Sequence, residues 1–411
     1  MLASCDWTQP GFAPGKSYDN PSESTLTPGT VGSLHALRSI SVPTGSNPAP
    51  IVLGDSVVVT SQAAGKRGRA TVSSYSTATG ARHWSTRVLA ASAGVSAPVA
   101  SGSTVVVGAV RADGRGRVVG VAVADGSIQW TSDLPATCTT ACSSVTNQVQ
   151  RAPSVTVVGQ KVVVVQDTDN NNSCTGSYWR LSALDPASGA ASWTEPVVEG
   201  ANSSPLVAAA GSTVLLAYSL PAAGTKCDFA DLFLHDDAYD PQTGSLTWSA
   251  RLALGSGLPG SALFTAVGAN GRYYGSYLTN QSEMGQGSFD ADTGAFLGPS
   301  TADVLSAVTG SLALSGLGPS VVATQLSDGS VRWSTAFPSG SVGHLGPTVA
   351  GQVVYAVTDG GAAGFSLRTY DAGTGAALAA VPVVGSESRP VVSNGHVYLI
   401  EGTTLHVYGV A

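Results

Sequence analysis

One phrase, Gly-x-x-x-Trp, recurs along the chain and limits its fold more than any other feature. It runs from Gly80 to Trp84, Gly126 to Trp130, Gly189 to Trp193, Gly244 to Trp248 and Gly329 to Trp333, which places five of the seven tryptophans on one phase. Around Gly294 and Gly375 the turn persists without the Trp. An Asp stands four residues before the Gly at Asp185, Asp240, Asp290 and Asp371. The pair suits a tight hairpin, because Asp accepts from turn amides and Gly supplies φ > 0. The Trp is then expected to bury a flat surface against the next sheet. Self-similarity at a fixed period marks a repeat architecture.

Three β-rich runs precede each turn and one follows it. In the third repeat they are Pro153–Val157, Lys161–Gln166, Tyr178–Leu184 and Ala190–Thr194, here termed strands A to D. Six A strands follow a proline: Pro50, Pro98, Pro153, Pro205, Pro347 and Pro390. Proline is tolerated there because no ladder donor is lost inside the strand. Two further A strands are expected near Leu263 and Leu305. The last unit has only three strands, Pro390–Ser393, His396–Ile400 and Thr404–Val410. Its missing D strand is expected at the other terminus, in Leu34–Val42. The sequence therefore predicts an all-β, eight-bladed β-propeller over residues 32–411, with four-stranded antiparallel blades and a three-plus-one closure that leaves no long free edge. A solenoid, the main rival, would need capping repeats rather than split ones. Residues 1–31 form a separate lead-in.

Composition narrows the function classes. Only 11% of residues are charged, Gly reaches 50, and Lys16, Lys66, Lys161 and Lys226 are the only lysines. A net charge of −7 argues against a general nucleic-acid binder. No apolar run is long enough for a membrane-spanning helix. Leu2-Ala3-Ser4-Cys5 looks like a bacterial lipobox, which would make Cys5 a lipidation site and the protein exported. The remaining Cys138, Cys142, Cys174 and Cys227 are even in number, as two disulfides require. No His lies near them at zinc-ligand spacing.

The repeat Ala-x-Asp-x-x-x-Gly-x-x-x-Trp, present as Ala183 to Trp193 and Ala238 to Trp248, resembles that of the PQQ-like β-propeller family. The stretch from Trp7 to Leu34 is similar to the lead-in of its secreted bacterial members. The resemblance covers nearly the whole chain and is specific for fold, not for chemistry. The family includes quinoprotein dehydrogenases and an outer-membrane assembly lipoprotein. A dehydrogenase would imply PQQ, a calcium ion and an acidic base at the axis. The chain has no adjacent Cys-Cys pair and no Cys-x-x-Cys-His haem motif, and no calcium-ligand set can be matched residue by residue. The expectation is no cofactor, with PQQ and calcium as the alternative.

Loop placement supplies the candidate sites. B–C and D–A loops emerge on one face of a propeller. The long insertions 134–150, 167–177 and 221–232 fall there and carry all four of these cysteines. The expected pairs are Cys138–Cys142, a local clip, and Cys174–Cys227, a staple between neighbouring blades. Long loops on a rigid scaffold are where binding usually resides. Lys66, Arg67, Arg69, Arg111, Arg115 and Arg117 form a basic sector that can take phosphate or carboxylate groups. The bland reading is solvated surface charge. Asp167, Asp169 and Asn171 resemble the start of a calcium loop, although Asn172 and Tyr178 stand where an EF-hand has Gly and Glu. An Asx-rich turn is the simpler reading. Asn47, Arg151, Asn202, His344 and Arg389 precede A strands and are expected to ring the channel mouth, as ligand groups or as partners of loop carbonyls. No Ser-His-Asp spacing, Walker loop or His-Glu-x-x-His motif is present.

Two functional readings stand. In the first, the chain is an exported, lipid-anchored monomer at the outer face of the bacterial membrane, or secreted. There it binds a protein or cell-envelope polymer with its loop face, and touches the membrane only through the anchor. In the second, it is an enzyme at the channel mouth, quinone-dependent or carbohydrate-active. A deep axial pocket with converging acid and base groups would favour the enzyme; a plugged channel would favour the binding module.

Overall fold

The computed structural model describes residues 5–45, 49–63, 68–135, 148–170, 177–196, 198–201, 206–221, 232–254, 267–269, 271–278, 284–300, 307–316, 318–339, 341–343 and 345–410. Four-stranded antiparallel sheets follow one another along the chain. Sheets 1 to 7 span 51–95, 99–133, 154–194, 206–254, 267–300, 307–336 and 348–383. Sheet 8 combines Val391–Ser393, His396–Glu401 and Thr404–Gly409 with the N-terminal strand His35–Ser41. That strand runs antiparallel to Thr404–Gly409, with Ile40 opposite Leu405. Strand B of most sheets is a continuous apolar run, such as Val57–Val59, Val105–Val107 or Val162–Val165, and is fully buried. Such a run fits a strand covered on both faces, as it must be when sheets stack face to face.

Each sheet shares an apolar core with the next. Trp84 and Val121 join sheets 1 and 2, Trp130 and Val162 join 2 and 3, and Trp179 and Leu216 join 3 and 4. Leu215 and Tyr273 join 4 and 5, Tyr274 and Val308 join 5 and 6, and Trp333 and Tyr370 join 6 and 7. Tyr355 and Val397 join 7 and 8. The sequence of contacts returns to its start, because Tyr398 and Ile400 of sheet 8 pack with Val57 and Val59 of sheet 1.

The repeated phrase has a direct mechanical meaning. The indole N–H of Trp84, Trp130, Trp193, Trp248 and Trp333 donates to Val123, Pro186, Pro241, Ala291 and Ala372 in the following sheet, each at 2.9 Å. The ring then lies on the Gly of that sheet's C–D turn. A Cβ on Gly189 would sit 2.3 Å from Trp130, and one on Gly375 2.5 Å from Trp333. Both glycines also have φ near +70, at 70° and 73°. At the junction of sheets 8 and 1, Ile40 takes the place of the Trp over Gly80. The turn Asp behaves as expected: Asp185 Oδ1 accepts from the N–H groups of Ala187 and Ser188, and Asp240 Oδ1 from Gln242 and Thr243.

Several boundaries differ from the sequence reading. The described part of strand A is Val267–Ala269 in sheet 5 and Ala307–Val308 in sheet 6, while Leu263 and Leu305 lie outside the described residues. Strand B of sheet 3 continues to Asn170, so Asp167 and Asp169 belong to the ladder, opposite Trp179 and Val149. Gln148–Gln150 also joins that ladder instead of remaining loop. Arg69 and Arg117 lie on C strands and Arg111 ends a B strand, leaving Arg115 in the turn between strands. In sheet 1 the outer strand Arg82–Val95 runs long enough to pair with Thr104–Arg111 of sheet 2.

Candidate functional site

The inner edge of a propeller blade exposes the N–H and C=O groups of its A strand, which need partners when water is excluded. Here the N-terminal segment supplies them. Trp7 exchanges two backbone bonds of 2.9 Å with Val52 of sheet 1. Thr8 C=O accepts from Ala100 of sheet 2 at 2.7 Å, and the Gln9 side chain bonds both backbone groups of Val157 in sheet 3. Pro14 C=O accepts from Ala209 of sheet 4, Ser17 from Val308 of sheet 6 and Tyr18 from Val349 of sheet 7. Asp19–Asn20 pairs in parallel with sheet 7, and Asn20 Nδ2 donates to Val392 of sheet 8 at 2.8 Å. The same amide donates to Cys5 C=O at 3.2 Å. Residues 5–20 therefore complete a turn around the axis and bar it on the side of the A–B turns.

Above this loop, towards the face of the D–A and B–C loops, lies a cavity of about 220 Å³. Its floor is Trp7, Pro10, Gly11 and Tyr18, and its walls include Pro50, Leu345, Glu387 and Arg389. Arg389 is held with its guanidinium 3.9 Å over the Tyr18 ring, a cation–π contact. A second cavity, of about 610 Å³, opens on the opposite face beside Asp19, Glu23 and Asp371. Three loop residues have displaced proton affinities, Cys5 among them, its thiol raised by burial. Burial pulls the Lys16 ammonium down to about 8 and pushes the Asp19 carboxyl up to about 7.

Of the expected mouth residues, Arg389 reaches this cavity. Arg151 is exposed and lies 4.0 Å from the buried carboxylate of Asp167. Asn47, Asn202 and His344 lie outside the described residues. In the basic sector, Arg111 and Arg117 are engaged internally: both reach Asp133, at 2.7 and 2.5 Å, and Arg111 also reaches Asp113. Charge pairing thus occupies two of the four cations among the described residues. Arg69 and Arg115 are exposed, while Lys66 and Arg67 lie outside the described residues. Asp167 is an ion-pair partner of Arg151 rather than a turn residue, and Asn171 falls outside the description. Among the described residues no three His, Cys, Asp or Glu side chains converge as a metal site would require. All four loop cysteines are outside the described residues. Cys5 is half-buried; its Sγ accepts from Asn394 N–H at 3.2 Å and lies 3.5 Å from Glu23 Oε2.

Sequence reasoning missed the axial loop, whose only signal is the turn chemistry of Pro10, Gly11, Pro14 and Gly15. It also missed a buried polar cluster in sheet 4. There Asp237 accepts from Tyr218 and Ser249, both at 2.6 Å, and Tyr239 at 3.3 Å. Its neighbour Asp236 faces Tyr273 of sheet 5, and burial raises its carboxyl to about 7.

Sheets of this form, joined by Asp-Gly turns and docked by a Trp, define a β-propeller of PQQ-like repeats. The family model described as outer membrane protein assembly factor BamB matches residues 36–226 and 237–379, and the chain belongs to that family. A search of curated proteins finds no match. Among solved structures, a quinohemoprotein alcohol dehydrogenase from Comamonas testosteroni aligns with a TM-score of 0.63 at 13% identity, over 98% of this chain and 80% of that one. BamB from Moraxella catarrhalis aligns at 0.56 and 19%, over 92% and 99%. A second such dehydrogenase, from Pseudomonas putida, aligns at 0.65 and 12%, over 99% and 80%. At these identities the likeness is one of fold.

The described axial residues do not fit a tricyclic quinone. The cavity of 220 Å³ is smaller than the roughly 300–1,000 Å³ of drug-sized ligand sites. Among the described residues its charged lining is one arginine and one glutamate, against a cofactor with three carboxylates.

Proposed function

We propose that the chain is an exported, lipid-anchored propeller that serves as a binding and scaffolding module, with a protein or envelope polymer engaged by its loop face. The observation that carries this reading is the barred axis. Residues 5–20 bond the inner strands of seven sheets and form the floor of a small cavity at the mouth. A channel filled by its own backbone suits a module that works through its rim. The membership of a family described by an outer-membrane assembly factor supports the same reading.

Cys5 as the anchor gives the module an orientation. It lies beside Asn394, in the A–B turn of sheet 8. A thioether sulfur at Cys5 retains the lone pairs that accept from Asn394. The turn face then looks towards the membrane, and the D–A and B–C loops look away from it.

Site-specific photo-crosslinking in envelope fractions tests the proposal. A probe at exposed Arg115 on the loop face should capture a protein or polymer, whereas one at Asp371 on the turn face should not. Equal labelling from both positions, or turnover of alcohols by the purified chain supplied with PQQ and calcium, would count against it.

A further inference from the structure

The larger cavity, of about 610 Å³, lies on the turn face, where the lead-in crosses sheets 6 and 7. Its volume is within the roughly 300–1,000 Å³ of small-molecule sites. Three parts of the chain wall it: the lead-in between residues 19 and 28, the A–B turn of sheet 6 at 309–312, and the turns of sheet 7 at 349–352 and 371–373. The lead-in wall is fixed in place. A Cβ on Gly351 would meet the carbonyl oxygens of Leu26 and Glu23 at 2.5 and 2.9 Å. Glu23 Oε1 accepts from the N–H groups of Thr25 and Leu26, and Oε2 accepts from Gly395 of sheet 8. The cavity is therefore preformed.

Its three carboxyl groups are in different states. Glu23 is spent on backbone donors. Asp371 commits Oδ1 to the N–H groups of Gly373 and Thr374 and to the Thr374 hydroxyl, while Oδ2 takes no part in these bonds. The Asp19 carboxyl makes no hydrogen bond or ion pair among the described residues, and the segments that flank it, 307–312 of sheet 6 and 348–353 of sheet 7, are all described. Its place is set by the parallel ladder, which puts Asp19 opposite Val349. No described basic side chain lines the cavity. A partly buried carboxylate without a counter-charge is unfavourable, and a bound cation relieves it. A divalent metal suits the place poorly. Calcium takes six to eight oxygens, and among the described residues no three acidic, His or Cys side chains converge. Leu312, Val349, Pro21 and Pro28 instead give the cavity an apolar wall, which suits an alkyl chain. We propose that the turn-face cavity binds a small aliphatic amine, with its ammonium on Asp19, its chain along Leu312 and Val349, and Asp371 Oδ2 open to a second ammonium. The proposal does not rest on the scaffold reading, which concerns the opposite face.

Calorimetric titration of the full chain at pH 8 with cadaverine tests it, and saturable binding is expected. Asp19→Asn should weaken that binding at least about tenfold. The variant should melt no lower than the wild type at pH 8, because the amide buries no charge. Asp371→Asn keeps an Oδ1 for the turn amides, so it should weaken cadaverine and leave n-butylamine unchanged. A readout without any variant is the pH profile. Binding to the wild type should fall towards pH 5, as the Asp19 carboxyl, displaced to about 7, takes up a proton. The other titratable groups on the cavity are Glu23 from the lead-in and Asp371 from sheet 7, and the sheet 6 wall brings none. Two further probes separate the sources of the cation: N-acetyl-lysine methylamide stands for a partner's side chain, and calcium chloride for a metal. Absence of cadaverine binding, unchanged affinity in Asp19→Asn, or tighter binding of either further probe than of cadaverine would each overturn the proposal. None of these outcomes bears on capture at the loop face, so the two readings fail separately.

Discussion

At the scale of single residues, the repeat glycines carry two constraints at once. Gly189 needs a positive φ, and the Trp130 ring occupies the place of its missing Cβ. Gly189→Ala should therefore cost about 2–4 kcal/mol, from backbone strain plus overpacking, read as a lower midpoint in thermal or urea unfolding. Gly211→Ala is the contrast. It shares the φ, at 59°, but a Cβ there meets nothing within 4 Å, so about 1 kcal/mol is expected from strain alone. A second residue-scale prediction concerns pH. Asp236 and Asp19 have folded-state carboxyls near 7, above the ordinary value of about 3.9. Between these values the folded chain binds more protons than the unfolded one, so stability falls as pH rises from about 4 to about 7. Asp236→Asn should remove part of that slope, raising the melting temperature at pH 8 and leaving it little changed at pH 4. A variant whose pH profile parallels the wild type would refute the assignment. The glycine constraint was half legible in the sequence. The turn demanded Gly, but the ring pressing on it belongs to a residue some sixty positions earlier, which only sheet stacking reveals.

At the scale of elements, the axial loop is the part that the sequence hid. Its residues follow neither the two-residue period of a strand nor the repeat, because each bonds a different blade. The strands were legible for the opposite reason: one pattern was imposed at every turn. Where strand ends slipped, as at Asp167 and Asp169, polar residues suggested a loop, yet the ladder continues through them. Charge pairing escaped the sequence too, since Asp133 comes from strand D while Arg111 and Arg117 flank the B–C turn. Asn20 is the clasp of the axial loop. It is fully buried, donates to Val392 and Cys5, and accepts from Ser22 N–H. Asn20→Leu should cost about 2–3 kcal/mol through the bonds it strands. It should also render the loop susceptible to brief proteolysis, with cleavage mapped by mass spectrometry to residues 5–20. Resistance equal to the wild type would mean that the other loop bonds suffice.

At the scale of the whole molecule, two N-terminal segments do different work, and truncation should separate them. Residues 5–20 bar the axis and add to the blades only the two-residue strand Asp19–Asn20 on sheet 7 and Trp7 in the core between sheets 8 and 1. Residues 35–41 supply the outer strand of sheet 8, and Ile40 packs in the core that joins sheet 8 to sheet 1. Removing residues 1–20 should leave a folded ring with a lower melting temperature. The inner N–H groups of Val52, Ala100 and Val349 would turn from protein partners to channel water. Removing residues 1–42 strips the partner from Thr404–Gly409 and opens the contact between Ile400, Leu405 and Val57. The closed ring leaves only short, protected edges, whereas this product presents a whole unpaired strand beside exposed core. It should aggregate or lose cooperative unfolding, as seen by light scattering and by broadening of the calorimetric transition. The order of the two effects is the critical point. If the shorter truncation were the more damaging, the loop rather than the closing strand would hold the ring together.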